Sequence, residues 1–478
     1  MVLSGAFYLV WGVVVSRVYG PVGYGVWSMA QSVFDFVWAF SFGGVFEGLI
    51  HFGAGYLAKP GANLSRYFSD YVRYLTGLGG VLCVVFVVVA VQVTDVVVRI
   101  VLLSLAFAFL FSGLKDGLAS IIGAQQRSKH LSTLNSARFL AVLLFGGVLI
   151  LLDQPFRRLP ILVFVATAGQ LLLCLYYVRP HFTALVRHNV AFFRRLNLRR
   201  TLLDDLRRLR HLFVFGFFVS MRKIAFNVMK SLDITVLKLF FDYADVGVYS
   251  AADAASSILF SMAAFSLPII SSISTAWTTQ DHTLLERHVR IAVKYPLLIG
   301  VPLTVIILIL ARPIVVGVYG PAFRDAIVPL QILIVGTFLL MFGYTLSSIL
   351  IGVGKPRIPG LLMAGAAAQY ILSLFLLTPV LGFEGAAIAL TLTGVTSLIL
   401  LPFFIRDTLR INVFAGVHKV LIAGTALAAV LLLINSASLP LIAAGTVAGT
   451  VLYVVLLRYT GYISQADVDI LKSLRGNR

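Results

Sequence analysis

Apolar stretches long enough to cross a bilayer follow one another along the whole chain, and polar residues collect in the gaps between them. Fourteen such stretches can be drawn, at 2–18, 25–50, 73–92, 98–122, 137–152, 160–178, 211–232, 247–275, 291–311, 326–351, 358–380, 383–405, 417–436 and 439–458. The pattern predicts an all-α polytopic integral membrane protein with about 14 transmembrane helices. Residues 232–246 are where the boundary is hardest to draw, because the apolar run continues there. The first stretch, starting almost at Met1, has no basic residues before it and no small-residue cleavage site after it, so it reads as a span and not a signal peptide.

The basic residues test this count. With the N-terminus inside, most of the 38 Lys and Arg fall in the loops that would face the cytoplasm and in the C-terminal tail. Lys59 and Arg66, Arg127 and Lys129, Arg287 and Arg290, Lys355 and Arg357 are examples, whereas the opposite loops hold few. That alternation is the positive-inside pattern, and it places both termini in the cytoplasm of a prokaryotic cell membrane. Arg138 is counted among the cytoplasmic-side charges on this reading.

Composition agrees and narrows the classes. The chain is 60% hydrophobic and 12% charged, half the charge of an ordinary soluble domain. The formal charge of +19 does not point to nucleic acid, because it sits at span ends and in one central segment. Cys83 and Cys174 lie in apolar runs and read as buried thiols. The eight histidines are scattered, so no metal site and no cofactor are expected.

The central segment 179–210 carries nine arginines interleaved with apolar residues at helical spacing. It predicts a basic amphipathic helix on the anionic cytoplasmic leaflet, serving as linker and anchor. A short repeat supports two halves around it. Gly25-Val-Trp-Ser-Met-Ala30 recurs as Gly247-Val-Tyr-Ser-Ala-Ala252, six spans later, and Ser120-Ile-Ile-Gly123 is echoed by Ser348-Ile-Leu-Ile-Gly352. The domain reading is therefore a first lobe at 1–178, the linker at 179–210, a second lobe at 211–405, and two extra helices with a tail at 406–478.

Four segments carry a family likeness. Arg17-Val-Tyr-Gly-Pro-Val-Gly-Tyr-Gly25, Asp233 with Val246–Ala252, Gly352-Val-Gly-Lys-Pro-Arg357, and Leu381-Gly-Phe-Glu-Gly-Ala-Ala-Ile-Ala389 stand in an order and spacing that covers most of the chain. Together they resemble polysaccharide (O-antigen type) flippases of the multidrug/oligosaccharidyl-lipid/polysaccharide exporter superfamily. The resemblance implies a monomer with a two-lobed V around a cavity lined by spans 1, 2, 7 and 8. It implies alternating access for a lipid-linked sugar, with membrane lipids and polysaccharide-synthesis enzymes as partners. Cavity residues vary within that family, so no motif transfers a residue's role.

Charges inside spans single out candidates, since each costs about 2.5–3.5 kcal/mol at a bilayer centre. Ser220, Lys223, Asn227 and Lys230 fall on one face of span 7, with Arg222 off that face and Asp233 at the end of the span. Span 2 carries Ser28, Gln31 and Asp35 at the same kind of spacing, and span 8 carries Ser250, Asp253 and Ser257. The predicted substrate-binding set is Lys223, Lys230, Arg222, Asn227, Ser220, Gln31, Asp35, Asp253 and Lys115, with the cations meeting a phosphate or pyrophosphate. Asp35, Asp253, Asp233 and Glu47 are the candidates for ion coupling, and Lys115 with Asp116 reads equally as an internal ion pair.

Two other classes compete. A cation-coupled exporter of small cationic drugs would share the architecture, but lysines in its wall would repel such cargo. A membrane-embedded glycosyltransferase or polymerase would be expected to show a sizeable outside loop with acids or histidines, and the longest loop here is basic and cytoplasmic on the same reading. The expectation is a transporter and not an enzyme.

Overall fold

The computed structural model describes residues 2–43, 64–125, 128–194, 221–260, 266–411, 413–414, 416–434 and 438–463. Among these the regular structure is helical throughout. Among the described residues eight helices are long and apolar enough to cross a membrane, by length and composition. Helices dominate for a physical reason: lipid offers backbone amides no hydrogen bonds, so each span must satisfy its own.

Two helices are too long to be single spans. Val2–Trp38 has 37 residues and Arg357–Leu409 has 53. At 1.5 Å per residue they would run about 55 and 80 Å, against a hydrocarbon core of about 30 Å. Each is broken at one glycine in nearly the same left-handed conformation, Gly20 (φ 65°, ψ −167°) and Gly382 (φ 65°, ψ −151°). A side chain is strained there, and Pro21 adds a missing amide directly after the first break. These are the turns between spans 1 and 2 and between spans 11 and 12, where the sequence places them.

Other boundaries move. Span 7, expected at 211–232, is helical over 221–240, so Asp233 sits in the body of the helix and not at its end. The apolar run from Ile234 to Phe240 carries the helix on until the bend at 241–242. Span 5, expected at 137–152, is helical over Ser128–Leu151, so Arg138 stands well inside the helix and not at its start. Span 6 runs as one helix, Ile161–Arg194, so the first part of the basic segment continues that span. Span 8 is described in two parts, Tyr243–Ser256 with a 3₁₀ turn at 257–260, and Ser266–Thr278.

The chain divides into two compact units, Met1–Ala251 with Met363–Phe383, and Ala252–Leu362 with Glu384–Arg478. In the first, Leu64–Gln92 packs along Val96–Ala124, which packs on Ile161–Arg194. Leu75, Leu105, Ala108 and Phe109 are fully buried there. In the second, His282–Ile309 packs on Ile327–Gly352 and on Val417–Ile434, which pairs with Leu439–Tyr459. Leu330, Leu333, Ile334 and Leu340 are fully buried. The outer faces are apolar: Val81, Val84 and Val88 on span 3 are 60%, 63% and 52% exposed, as a lipid-facing surface requires. Both cysteines are free, with Cys174 buried.

Candidate functional site

The polar faces of spans 2 and 7 meet in the first unit. Ser32 Oγ donates to the Ser231 carbonyl and lies 2.9 Å from Thr235 Oγ1. One turn away, Ser231 Oγ donates to the Asn227 carbonyl at 2.6 Å. Along span 7, Lys223 and Lys230 stand about two turns apart.

Exposure changes along this seam. Ser28, Gln31 and Ser32 are buried at 3%, 8% and 4%. Further along span 2 the Asp35 side chain is 47% exposed. On span 7, Lys230 is exposed and Lys223 and Asn227 are half-buried, while Ser231 is buried at 6%. The contact between the two spans is thus packed at Ser28, Gln31, Ser32 and Ser231, while Asp35 on span 2 and Lys230 on span 7 are accessible.

Arg138 joins this group. Its guanidinium is 3.9 Å from Asp35 Oδ1 and lies over the Phe34 ring at 5.3 Å from the centroid. Its side chain is 21% exposed. The charge count placed it on the cytoplasmic side at the start of span 5; the helix starts nine residues before the apolar run drawn at 137–152, so Arg138 lies further into the helix than that run implied. The legible signal was polar residues at helical spacing from Ser128, upstream of the hydrophobic stretch.

The remaining candidates behave differently. Arg222, which the sequence places off the polar face of span 7, is only 6% exposed and packed inside the protein. Asp233 is 1% exposed. Its Oδ2 accepts from Tyr249 Oη at 2.8 Å and its Oδ1 from the Ile234 amide at 2.8 Å, so it ties span 7 to the start of span 8. Lys115 Nζ is 3.0 Å from Asp116 Oδ1, with side chains 12% and 4% exposed, and Asp116 Oδ2 accepts from Trp38 Nε1 at 2.7 Å. That cluster is an internal ion pair bound to Trp38 of span 2. Asp253 is half-buried in the second unit, and Ser256 Oγ donates to its carbonyl at 2.9 Å. Ser220 and Glu47 lie outside the described residues. Among the described residues no group of His, Cys, Asp and Glu is placed to hold a metal ion.

Known proteins supply the frame for this geometry. A search of curated proteins finds no match. Among solved structures the chain is similar to lipid II flippase MurJ in an inward closed conformation, with a TM-score of 0.73, 14% identity, and 96% of this chain and 97% of that one covered. It is similar to an inward-facing multidrug resistance MATE family transporter of the MOP superfamily, with a TM-score of 0.52, 14% identity, and coverage of 84% and 99%. At such identities the likeness shows the fold alone. It is the polytopic exporter fold that the four sequence segments resemble. A family model for polysaccharide biosynthesis proteins matches residues 2–274, more than half of the chain, and so the chain belongs to the polysaccharide biosynthesis protein family, whose fold is that of the MOP membrane flippases and exporters.

Proposed function

We propose that this protein is a flippase that moves a lipid-linked oligosaccharide, carried on a polyprenyl or dolichyl phosphate or pyrophosphate, across the cytoplasmic membrane by alternating access. The observation that carries this reading is the charge carried by spans 2 and 7, which pack against each other. Asp35 pairs there with Arg138, and Lys223, Asn227 and Lys230 share one face of span 7, the helix that Ser32 of span 2 bonds at Ser231. Lysines act on a diphosphate as mobile point charges, and an arginine fork can hold two of its oxygens at once. Asp35 balances Arg138 while no anion is present. The apolar exterior lets the carrier's tail stay in lipid while the head group is handled inside.

In this reading the N- and C-termini are cytoplasmic and the protein works as a monomer. Its lobes follow the repeat, at 1–178 and 211–405, with the basic segment 179–210 as the membrane-surface linker. The partners are the lipid-linked sugar and the enzymes that build and consume it. Arginine and lysine in the wall favour this cargo over the cationic drugs of a multidrug-type exporter, and nothing in the site calls for a chemical step.

The test is lipid analysis of a deletion strain beside its parent. A complete lipid-linked oligosaccharide should accumulate, protected from enzymes added outside the cell, and a plasmid copy should clear it. An unchanged lipid profile with normal surface glycans would refute the assignment and favour small-molecule efflux.

A further inference from the structure

A concavity lies where span 8 turns into span 9. It measures about 330 Å³ and is lined by Ala276, Trp277, Gln280, Asp281, His282 and Leu285. Backbone bonds fix its rim. The Asp281 amide reaches back to the Ala276 carbonyl at 3.1 Å and the Gln280 amide to the Trp277 carbonyl at 3.2 Å, with Gln280 left-handed at φ 54°. Asp281 then caps the next helix at once, its Oδ1 accepting from the Leu284 amide at 2.9 Å. Below the turn the two helices are held together, because the Ser272 carbonyl lies 3.2 Å from His288 Nδ1. Ile273 is fully buried against span 10, where a Cβ built on Gly352 would stand 2.8 Å from it. The concavity is therefore preformed, and its volume suits a ligand of a sugar ring or two.

The lining selects a chemical class. Trp277 is 41% exposed and offers an indole face and one N–H donor. Gln280 both donates and accepts, Asp281 accepts only, and a neutral His282 does one of each. Among the described residues the side chains of Trp277, Gln280 and His282 make no hydrogen bond inside the protein, and no donor meets the second oxygen of Asp281. Ala276 and Leu285 are buried and form an apolar floor. An anion would meet the Asp281 charge, and an ammonium would meet donors as well as acceptors. A sugar matches the mixture, since each hydroxyl gives and takes a bond and the ring's C–H face lies on an aromatic. Gln280 adds to this. Glycine is the ordinary residue in such a left-handed turn, so a glutamine there accepts backbone strain and contributes a side chain to the lining.

The concavity also stands in water. Ser271, Ser272, Ser274 and Thr275 make the last turns of span 8 polar, and nine residues separate His282 from the apolar run drawn at 291–311. At 1.5 Å per residue that lifts the turn on the order of 10 Å clear of the hydrocarbon. A tryptophan serving only as an interface anchor would sit at the run's end and not beside three polar side chains.

We propose that this concavity is a sugar-binding subsite, which takes a monosaccharide unit of the cargo's glycan on the cytoplasmic side. It rests on the reading of the cargo and topology given above.

The experiment is saturation-transfer NMR on the full chain, purified in a detergent without a sugar head group. The probes are the monosaccharides released by acid hydrolysis of the cell's own surface polysaccharide, with ethanolamine and inorganic phosphate beside them. At least one sugar should receive saturation. Trp277→Ala should abolish the transfer, Trp277→Phe should keep part of it, and Thr283→Ala, outside the lining, should leave it unchanged. Gln280→Gly suits the left-handed backbone, so it removes the side chain without unfolding the turn, and affinity should fall at least fivefold. No transfer to any sugar, transfer to ethanolamine or phosphate instead, or equal transfer in Trp277→Ala and Gln280→Gly would each overturn the subsite. Sugar binding with an unchanged lipid profile in the deletion strain would keep the subsite and reject the cargo. Accumulated oligosaccharide with no sugar bound would reject the subsite alone.

Discussion

Asp116 offers a quantitative test of how the protein tolerates charge inside the membrane. Its carboxylate is 4% exposed, takes Lys115 at 3.0 Å on one oxygen and receives Trp38 Nε1 at 2.7 Å on the other. Asp116→Ala removes both partners at once. It leaves the Lys115 ammonium, itself 12% exposed, without its counter-ion and the indole N–H without an acceptor. Breaking one half of a buried pair costs about 3–5 kcal/mol, and an orphaned neutral donor adds about 1–3 kcal/mol. The lysine stem can reach toward the membrane surface and recover part of the first figure, so a net loss of about 3–5 kcal/mol is expected. Asp116→Asn isolates the charge, since its amide oxygen still accepts from Trp38. Lys115→Met with Asp116→Leu removes both charges and should return to within about 1–3 kcal/mol of the parent, the residue being the indole N–H. The assay is the midpoint of unfolding in mixed micelles for the parent, both single Asp116 variants, Lys115→Met and the double variant. A double variant as unstable as Asp116→Ala would refute the reasoning, because it would mean that lost packing, and not an unpaired charge, sets the loss.

Further outcomes follow from the same structure. Lys223→Gln and Lys230→Gln should each abolish glycan export in a complementation assay while protein levels stay normal, and full activity in both would remove the cationic site. Arg138→Gln should lower export at least tenfold with normal folding, and Asp35→Asn should lower it less, since it removes the balancing charge and not the anion's partner; both are read by the same complementation. Gly146→Ala should destabilise the protein by about 1–3 kcal/mol through overpacking, because the added Cβ would stand 2.0 Å from the Trp11 ring. The adjacent Gly147→Ala should be neutral or stabilising by up to about 1 kcal/mol, so thermal melts of the two neighbours in detergent decide the matter. Tyr249→Phe should cost about 1–3 kcal/mol by removing a donor from the buried Asp233 carboxylate, measured in the same melts.

Most of the architecture was readable from the order of apolar and polar residues. Lipid imposes span length and forbids unpaired backbone, so runs of about 20 apolar residues can become only helices. The turns at Gly20-Pro21 and Gly382 fall at the joints between two span-length apolar runs, where glycine supplies the positive φ the backbone needs. Boundaries were less legible. Span 5 starts at Ser128 because polar residues are as content in a helix that leaves the bilayer as in a loop, and hydropathy cannot tell the two apart.

The candidate site divides along the same line. Periodicity alone put Lys223, Asn227 and Lys230 on one face, and Gln31 and Asp35 on another, because helical geometry is local. Which partners those faces find is not local. That Asp35 meets Arg138, that Asp233 is enclosed by Tyr249, and that Trp38 completes Asp116 depend on helices brought together from distant parts of the chain. The glycine repeat shows both sides of this. Its two copies are plain in the sequence, yet only tertiary packing presses Gly25 against Gly247, since a missing side chain announces room for a neighbour without naming it.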